Sequence, residues 1–383
     1  MKKRLISFIL ASFFLVSALV LPSSALEPIT NFDVEAKSAV LMEASSGTVL
    51  YEKNADEALP PASVTKIMTL LLVMEAIDSG RLSLSDTVTA SAYATSMGGS
   101  QIYLKEGEQM SVEDMLKSVV IASANDAAVA LAEHICGSEE TFVRKMNERA
   151  RELGMNNSNF ENTNGLDDTA TNHKTSARDI AIMSRELIKH KKILEYSSIW
   201  MDSVRDGAFG LTNTNRLVRF YKGANGLKTG STSKAGFCIS ATAERDGMTL
   251  IAVIMGSPTR DVRNREATRL LDMGFSGYTL YSCQEEPLGT IPVLRGVKNE
   301  CKILKPSFSC LIESDKKGSV ESEIRLLEGL NAPIQAGDVA GKIIYKCGEE
   351  IVGEADVLCA ESVKKLEFWP FVRKIFHNCL LLN

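Results

Sequence analysis

Three short stretches of this 383-residue chain hold side chains suited to making and breaking an acyl bond. The first is Ser63-Val64-Thr65-Lys66. A serine hydroxyl is a weak nucleophile at its own pKa and needs a neighbouring base, and a lysine serves as that base only where burial or a second cation lowers its pKa. The second is Ser123-Ala124-Asn125, a hydroxyl and an amide two residues apart in a small, polar break among apolar neighbours. The third is Lys228-Thr229-Gly230, a cation and a hydroxyl ahead of a residue with no side chain. Each alone has an unreactive reading: a capping serine with a solvated lysine, a helix break with a satisfied asparagine, an edge-strand lysine before a turn. A four-residue pattern recurs by accident, whereas three in order, each in a fitting structural context, are far more specific.

The elements that must position these groups are legible. Pro60-Pro61 followed by good helix formers predicts a helix beginning near Ala62, because proline is tolerated before and at the first turn. Ser63 and Lys66, three apart, then share one face, and the run 67–74 is apolar almost all round, the pattern of a buried helix. Residues 38–44 and 48–52 flank Ser45-Ser46-Gly47 as two strands and a turn. Residues 82–107 read as loop-rich, and helical periodicity returns over 111–136, with Ser123 and Asn125 inside it. Further helical stretches at 139–153 and 176–190 bracket a loop at 156–174. Strands then follow at 226–232, 236–243 and 248–255, and a closing helix at 260–273. Strands, helices, strands and a final helix predict an α+β domain whose helices pack on an antiparallel sheet shared by the first and last segments.

The chain divides into four expected parts. Residues 1–26 read as an export signal, with Lys2, Lys3 and Arg4 before an apolar run and small residues up to Ala25. Residues 27–280 hold the reactive groups, and 281–361 read as a small β-rich domain punctuated by proline and glycine. In 362–383, Leu366, Trp369, Val372, Phe376 and Leu380 recur at helical spacing beside Lys364, Lys365 and Arg373. That pattern predicts an amphipathic helix on a membrane surface, bent or broken at Pro370. The protein is therefore expected at the outer face of the cytoplasmic membrane or in the cell wall. A formal net charge of −5 argues against a nucleic-acid partner, and four histidines without metal-ligand spacing predict no metal and no cofactor.

The stretches Pro61-Ala62-Ser63-Val64-Thr65-Lys66-Ile67-Met68-Thr69, Ser123-Ala124-Asn125-Asp126-Ala127, Asn162-Thr163-Asn164-Gly165-Leu166 and Gly226-Leu227-Lys228-Thr229-Gly230-Ser231-Thr232 carry a resemblance. They resemble the S-x-x-K, S-x-N and K-T-G set of penicillin-binding proteins and class A β-lactamases, most closely the low-molecular-mass D-alanyl-D-alanine carboxypeptidases. The resemblance implies a DD-peptidase-like catalytic domain, a β-rich second domain and a terminal amphipathic anchor. It implies that Ser63 attacks the carbonyl between two terminal D-alanines while Lys66 takes its proton, with Lys228 depressing the pKa of Lys66. Ser123 and Lys228 would relay the proton to the departing D-alanine, and Asn125 would hold the substrate amide. Ser231, with Ser63, would supply the oxyanion donors, flanked by Gly230 and Thr232. Thr229 and an arginine, Arg265 with Arg263 in reserve, would bind the substrate carboxylate. Partners would be peptidoglycan stem peptides ending in D-Ala-D-Ala and β-lactam antibiotics. Some family members carry a histidine where this chain has Ser231-Thr232-Ser233, which bears on substrate preference. The alternatives are a class A-like β-lactamase and a non-catalytic penicillin-sensing or wall-binding module; the loop with Glu161 and Asn162 resembles the carboxypeptidases rather than the lactamases.

Overall fold

The structure is a computed structural model that describes residues 32–167, 170–367 and 372. The expected export signal and residues 368–383 of the expected tail, Val372 excepted, lie outside the described residues. Of the described residues, 32–286 and 307–319 form one compact unit, and 287–306 with 320–367 form a second.

The first unit is built on a five-stranded antiparallel sheet. Its strands are β1 (Ser38–Glu43), β2 (Val49–Lys53), β3 (Ala224–Thr232), β4 (Gly236–Arg245) and β5 (Met248–Ser257), in the order β2-β1-β5-β4-β3. The two ends of the unit's sequence thus meet in the middle of the sheet, where Val40 sits opposite Val253. Side chains alternate strictly along a strand, so β1 and β5, covered on both faces, are apolar at most of their positions. Val40, Ile251, Val253 and Met255 enter one core, whereas Ala39, Leu41, Leu250, Ala252 and Ile254 enter the other.

The larger core belongs to the helices α1 (Lys66–Asp78), α2 (Val112–Ile121), α3 (Asn125–Cys136), α4 (Glu139–Glu152) and α5 (Ala177–Leu187). Among them, α1 is apolar on nearly all sides, with Ile67, Met68, Leu70, Leu71, Val73 and Met74 buried. At about 1.5–3 kcal/mol per fully buried large aliphatic side chain, that burial fixes the axis on which the reactive groups ride. The opposite face is closed by α6 (Arg260–Gly277), whose Ala267, Leu270 and Leu271 pack on the sheet. Thr259 caps α6, its hydroxyl accepting the Val262 N–H.

The structure departs from the expected single helical region over 111–136. The chain breaks at Ala122–Ala124, because Ser123 takes a left-handed φ of +62° that no continuing helix permits. A second departure concerns the boundary near residue 281. The strand Phe308–Glu313 returns to the first unit and pairs antiparallel with Tyr278–Cys283, Leu280 opposite Leu311. A short alternating apolar run reads identically whichever sheet it joins, so the pattern could not reveal this return.

The second unit is all-β, with Val320–Leu326, Val339–Cys347, Glu350–Cys359, Glu300–Lys305, Glu286–Leu294 and Leu330–Asn331 hydrogen-bonded in that order. Ile303, Ile343, Tyr345 and Val357 form part of its interior. The expected terminal helix does not begin at residue 362: Val363 bridges Ile334 and Lys365 bridges Gly296, so this part of the chain is committed to backbone pairing. Among the described residues, no helix is long and apolar enough to cross a membrane.

Candidate active site

Ser63 lies in a tight turn, Ala62–Thr65, that leads directly into α1. The turn opens on Ala62 at a φ of +50°. A left-handed conformation costs an alanine about 1–2 kcal/mol, so the surroundings must hold it. Lys66, the first residue of α1, is fully buried. Its Nζ stands 3.0 Å from Ser63 Oγ, 2.5 Å from Asn125 Oδ1 and 2.8 Å from the Asn164 carbonyl oxygen. The two carbonyl-type oxygens can only accept. A neutral amine has two N–H bonds and one lone pair; with both N–H bonds given to Asn125 and Asn164, its lone pair is left for the Ser63 hydroxyl. Burial, and after it the charge of Lys228, holds Lys66 well below the usual lysine range, while Asp126 pulls the other way. Ser63 and Lys66, paired by the sequence, thus stand within hydrogen-bond distance, and burial disfavours the charged form of the lysine.

The break between α2 and α3 supplies the next two groups. Ser123 is buried, and its Oγ has no hydrogen-bond partner among the described residues. Asn125 opens α3 with its amide fixed at both ends: Oδ1 accepts from Lys66, and Nδ2 donates to the Gly98 carbonyl at 2.7 Å. Asp126 secures the facing loop by accepting the Ile102 and Leu104 N–H groups at 3.2 and 3.0 Å.

The edge strand β3 forms the other wall. Lys228 is buried, and desolvation, followed by repulsion from Arg263, lowers its pKa to about 7. Its Nζ donates to the Thr229 carbonyl at 3.1 Å. Thr229 Oγ1 donates to Thr214 Oγ1 at 2.7 Å. Gly230 is the closest approach: a Cβ there would lie 2.7 Å from the Ser63 nitrogen and 2.9 Å from the Pro61 carbonyl. Only a residue without a side chain lets the strand meet the nucleophile's turn.

Ser63, Ser123, Thr229, Gly230 and Ser231 line one cleft of about 430 Å³, under which Lys66 and Lys228 are buried. Thr232 is not in it; it lines a neighbouring hollow of about 90 Å³ with Pro61 and His173, and its hydroxyl accepts the Ala235 N–H. Strand alternation turns it away from its neighbour Ser231. Arg265 is also corrected. Its exposed guanidinium donates to Glu35 and Glu266, both at 2.9 Å, and it lines a separate open depression. Arg263 reaches the cleft instead, nearly fully buried and with its guanidinium donating to Asn264 Oδ1 at 2.9 Å. Burial and Arg260 lower its pKa to about 10, which leaves it charged at neutral pH. Two residues along a helix are rotated by about 200°, so 263 and 265 face opposite ways. The reading from sequence also missed Arg216, Arg260 and Trp200 in the cleft wall. None belongs to a spaced motif, and only the course of the chain around the hairpin Met201–Val204/Phe209–Thr212 brings Trp200 and Arg216 there.

Glu161 is not a second base for Ser63. Its exposed carboxylate accepts the Thr171 and Asn172 N–H groups at 2.8 and 3.0 Å.

Comparison with known proteins agrees with this arrangement. Residues 23–259 match the family model described as D-alanyl-D-alanine carboxypeptidase, and 275–365 match that of the penicillin-binding protein 5 C-terminal domain. The chain is 43% identical over 347 residues to the D-alanyl-D-alanine carboxypeptidase DacF of Bacillus subtilis, covering 89% of each chain. It is 34% identical to DacC of Escherichia coli, over 90% of this chain and 89% of that one. Among solved structures, penicillin-binding protein 5 of Haemophilus influenzae superposes with a TM-score of 0.76 at 32% identity, over 88% of this chain and 100% of the other.

Proposed function

Since the chain belongs to the D-alanyl-D-alanine carboxypeptidase family, we propose that its cleft removes the terminal D-alanine from peptidoglycan stem pentapeptides through an acyl-enzyme on Ser63. The observation that carries this reading is the set of three contacts around Lys66 Nζ. Neutral Lys66 takes the Ser63 proton as Oγ attacks the carbonyl of the penultimate D-alanine. The N–H groups of Ser63 and Ser231 bind the oxyanion, an interaction worth roughly 3–4 kcal/mol of barrier when one such donor is lost. The C–N bond breaks as a proton passes through Ser123 and Lys228 to the leaving amine. Asn125 orients Lys66 and receives the substrate amide, and Thr229 with Arg263 binds the carboxylate of the departing D-alanine. Water, deprotonated by the same lysine, then cleaves the ester and restores Ser63.

A penicillin enters the same path and remains as a covalent adduct. The protein acts outside the cytoplasm, with residues 1–26 as its export signal and the tail 362–383, which carries Trp369 and Phe376, as its anchor to the membrane surface.

D-alanine release from a muramyl pentapeptide tests the reading. The wild type is expected to release D-alanine and to gain one penicillin mass in intact-protein spectrometry, and Ser63→Ala is expected to do neither. An undiminished adduct on Ser63→Ala would refute the assignment of the nucleophile.

A further inference from the structure

The loop between α4 and α5 holds a buried histidine that the mechanism does not use. His173 Nδ1 faces the Glu161 backbone N–H at 3.0 Å, and its Nε2 faces Thr65 Oγ1 at 2.7 Å. The Glu161 N–H can only donate, so Nδ1 carries the lone pair and Nε2 the proton. The hydrogen bonds then run one way. Nε2–H donates to Thr65 Oγ1, and the Thr65 hydroxyl donates to the Ala62 carbonyl at 2.8 Å. That carbonyl belongs to the left-handed residue immediately before Ser63. Gly165 of the same loop closes on it from another side, since a Cβ there would lie 1.8 Å from the Ala62 oxygen.

We infer that His173 is a positioning residue, which through Thr65 holds the Ala62 carbonyl and with it the left-handed turn that presents the Ser63 hydroxyl to Lys66 and the Ser63 N–H to the substrate. The rest of the surroundings suits a neutral ring. Phe160 stacks edge-on against it, 5.8 Å between centroids. Burial lowers its pKa to about 4 against the pull of Glu161 and Asp167, so one nitrogen donates and the other accepts over the physiological range. Neither His173 nor Thr65 lines the cleft around Ser63, so their effect on the reaction passes through the turn.

This inference rests on Ser63 being the acylated residue, and one assay separates the two. The second-order rate of labelling by a fluorescent penicillin is measured on the full chain for the wild type, His173→Leu, Thr65→Val, the double variant and His173→Gln. An unlabelled wild type would remove the underlying reading. With the wild type labelled, each single variant is expected to acylate about 10- to 100-fold more slowly, the loss typical of a displaced reactive group. The double variant is expected to be no slower than the slower single one, because both act through one carbonyl. His173→Gln, whose amide can accept from Glu161 and donate to Thr65, is expected to recover most of the rate. Multiplicative losses in the double variant, or His173→Leu within twofold of the wild type, would overturn the inference. If His173→Leu does not fold, Thr65→Val decides alone: labelling within twofold of the wild type overturns it.

Discussion

Two arginines two positions apart on α6 have opposite fates. Arg263 is buried in the cleft wall, which the exposed Arg260 also lines, whereas Arg265 is held by Glu35 and Glu266 in another depression. A charge-assisted hydrogen bond contributes about 1.5–3 kcal/mol, which corresponds to roughly a 10- to 150-fold change in an equilibrium or rate. Arg263→Gln is therefore expected to lower kcat/KM for a D-Ala-D-Ala peptide by about that factor, and Arg265→Ala to leave it within about twofold. Steady-state kinetics of D-alanine release would check both, and the reverse ranking would restore Arg265 as the carboxylate ligand. A signal for the correct choice was present in the sequence. Arg263 lies four and seven residues before Ala267 and Leu270, which pack on the sheet, and so shares their face.

At the scale of elements, the site is an agreement between a helix end and a strand edge. Burial of α1 on nearly all sides fixes where Ser63 and Lys66 stand, and β3 can approach only because residue 230 has no side chain. Gly230→Ala would place a methyl group 2.7 Å from the Ser63 nitrogen and force the two apart. The expected outcome is acylation by penicillin about 100-fold slower, with cooperative unfolding retained; unchanged acylation would mean that the wall is more pliant than its packing indicates. The break between α2 and α3 works on the same principle. Ser123 accepts a left-handed backbone so that its hydroxyl and the Asn125 amide meet Lys66 and the cleft from one short segment.

The whole molecule is two units whose sequence segments interleave. Leu311 lies well beyond the expected boundary yet is buried in the first unit, in the core cluster that holds Tyr278, with Leu280 packed against it. Leu311→Ala is expected to destabilise the penicillin-binding unit by about 2–5 kcal/mol. The temperature at which the protein loses its ability to be acylated should fall accordingly. If only the transition of the all-β unit moved, the return of Phe308–Glu313 to the first unit would be wrong.

The sequence by itself determined the family, the three motif stretches around Ser63, Ser123 and Lys228, and an α+β unit followed by a β-rich one. Those features are local: they lie in the residue types and spacing of short motifs and in periods of 2 and 3.6 residues. The tertiary structure alone decided what depends on two distant segments meeting. It set the surroundings of Lys66, whose burial lowers its pKa and whose Nζ meets oxygens 59 and 98 residues away in the chain. It returned Phe308–Glu313 to the first unit, and placed His173 behind the turn of Ser63, 108 residues from Thr65. Burial and hydrogen-bond geometry belong to the packed chain, and no pattern within a single segment encodes them.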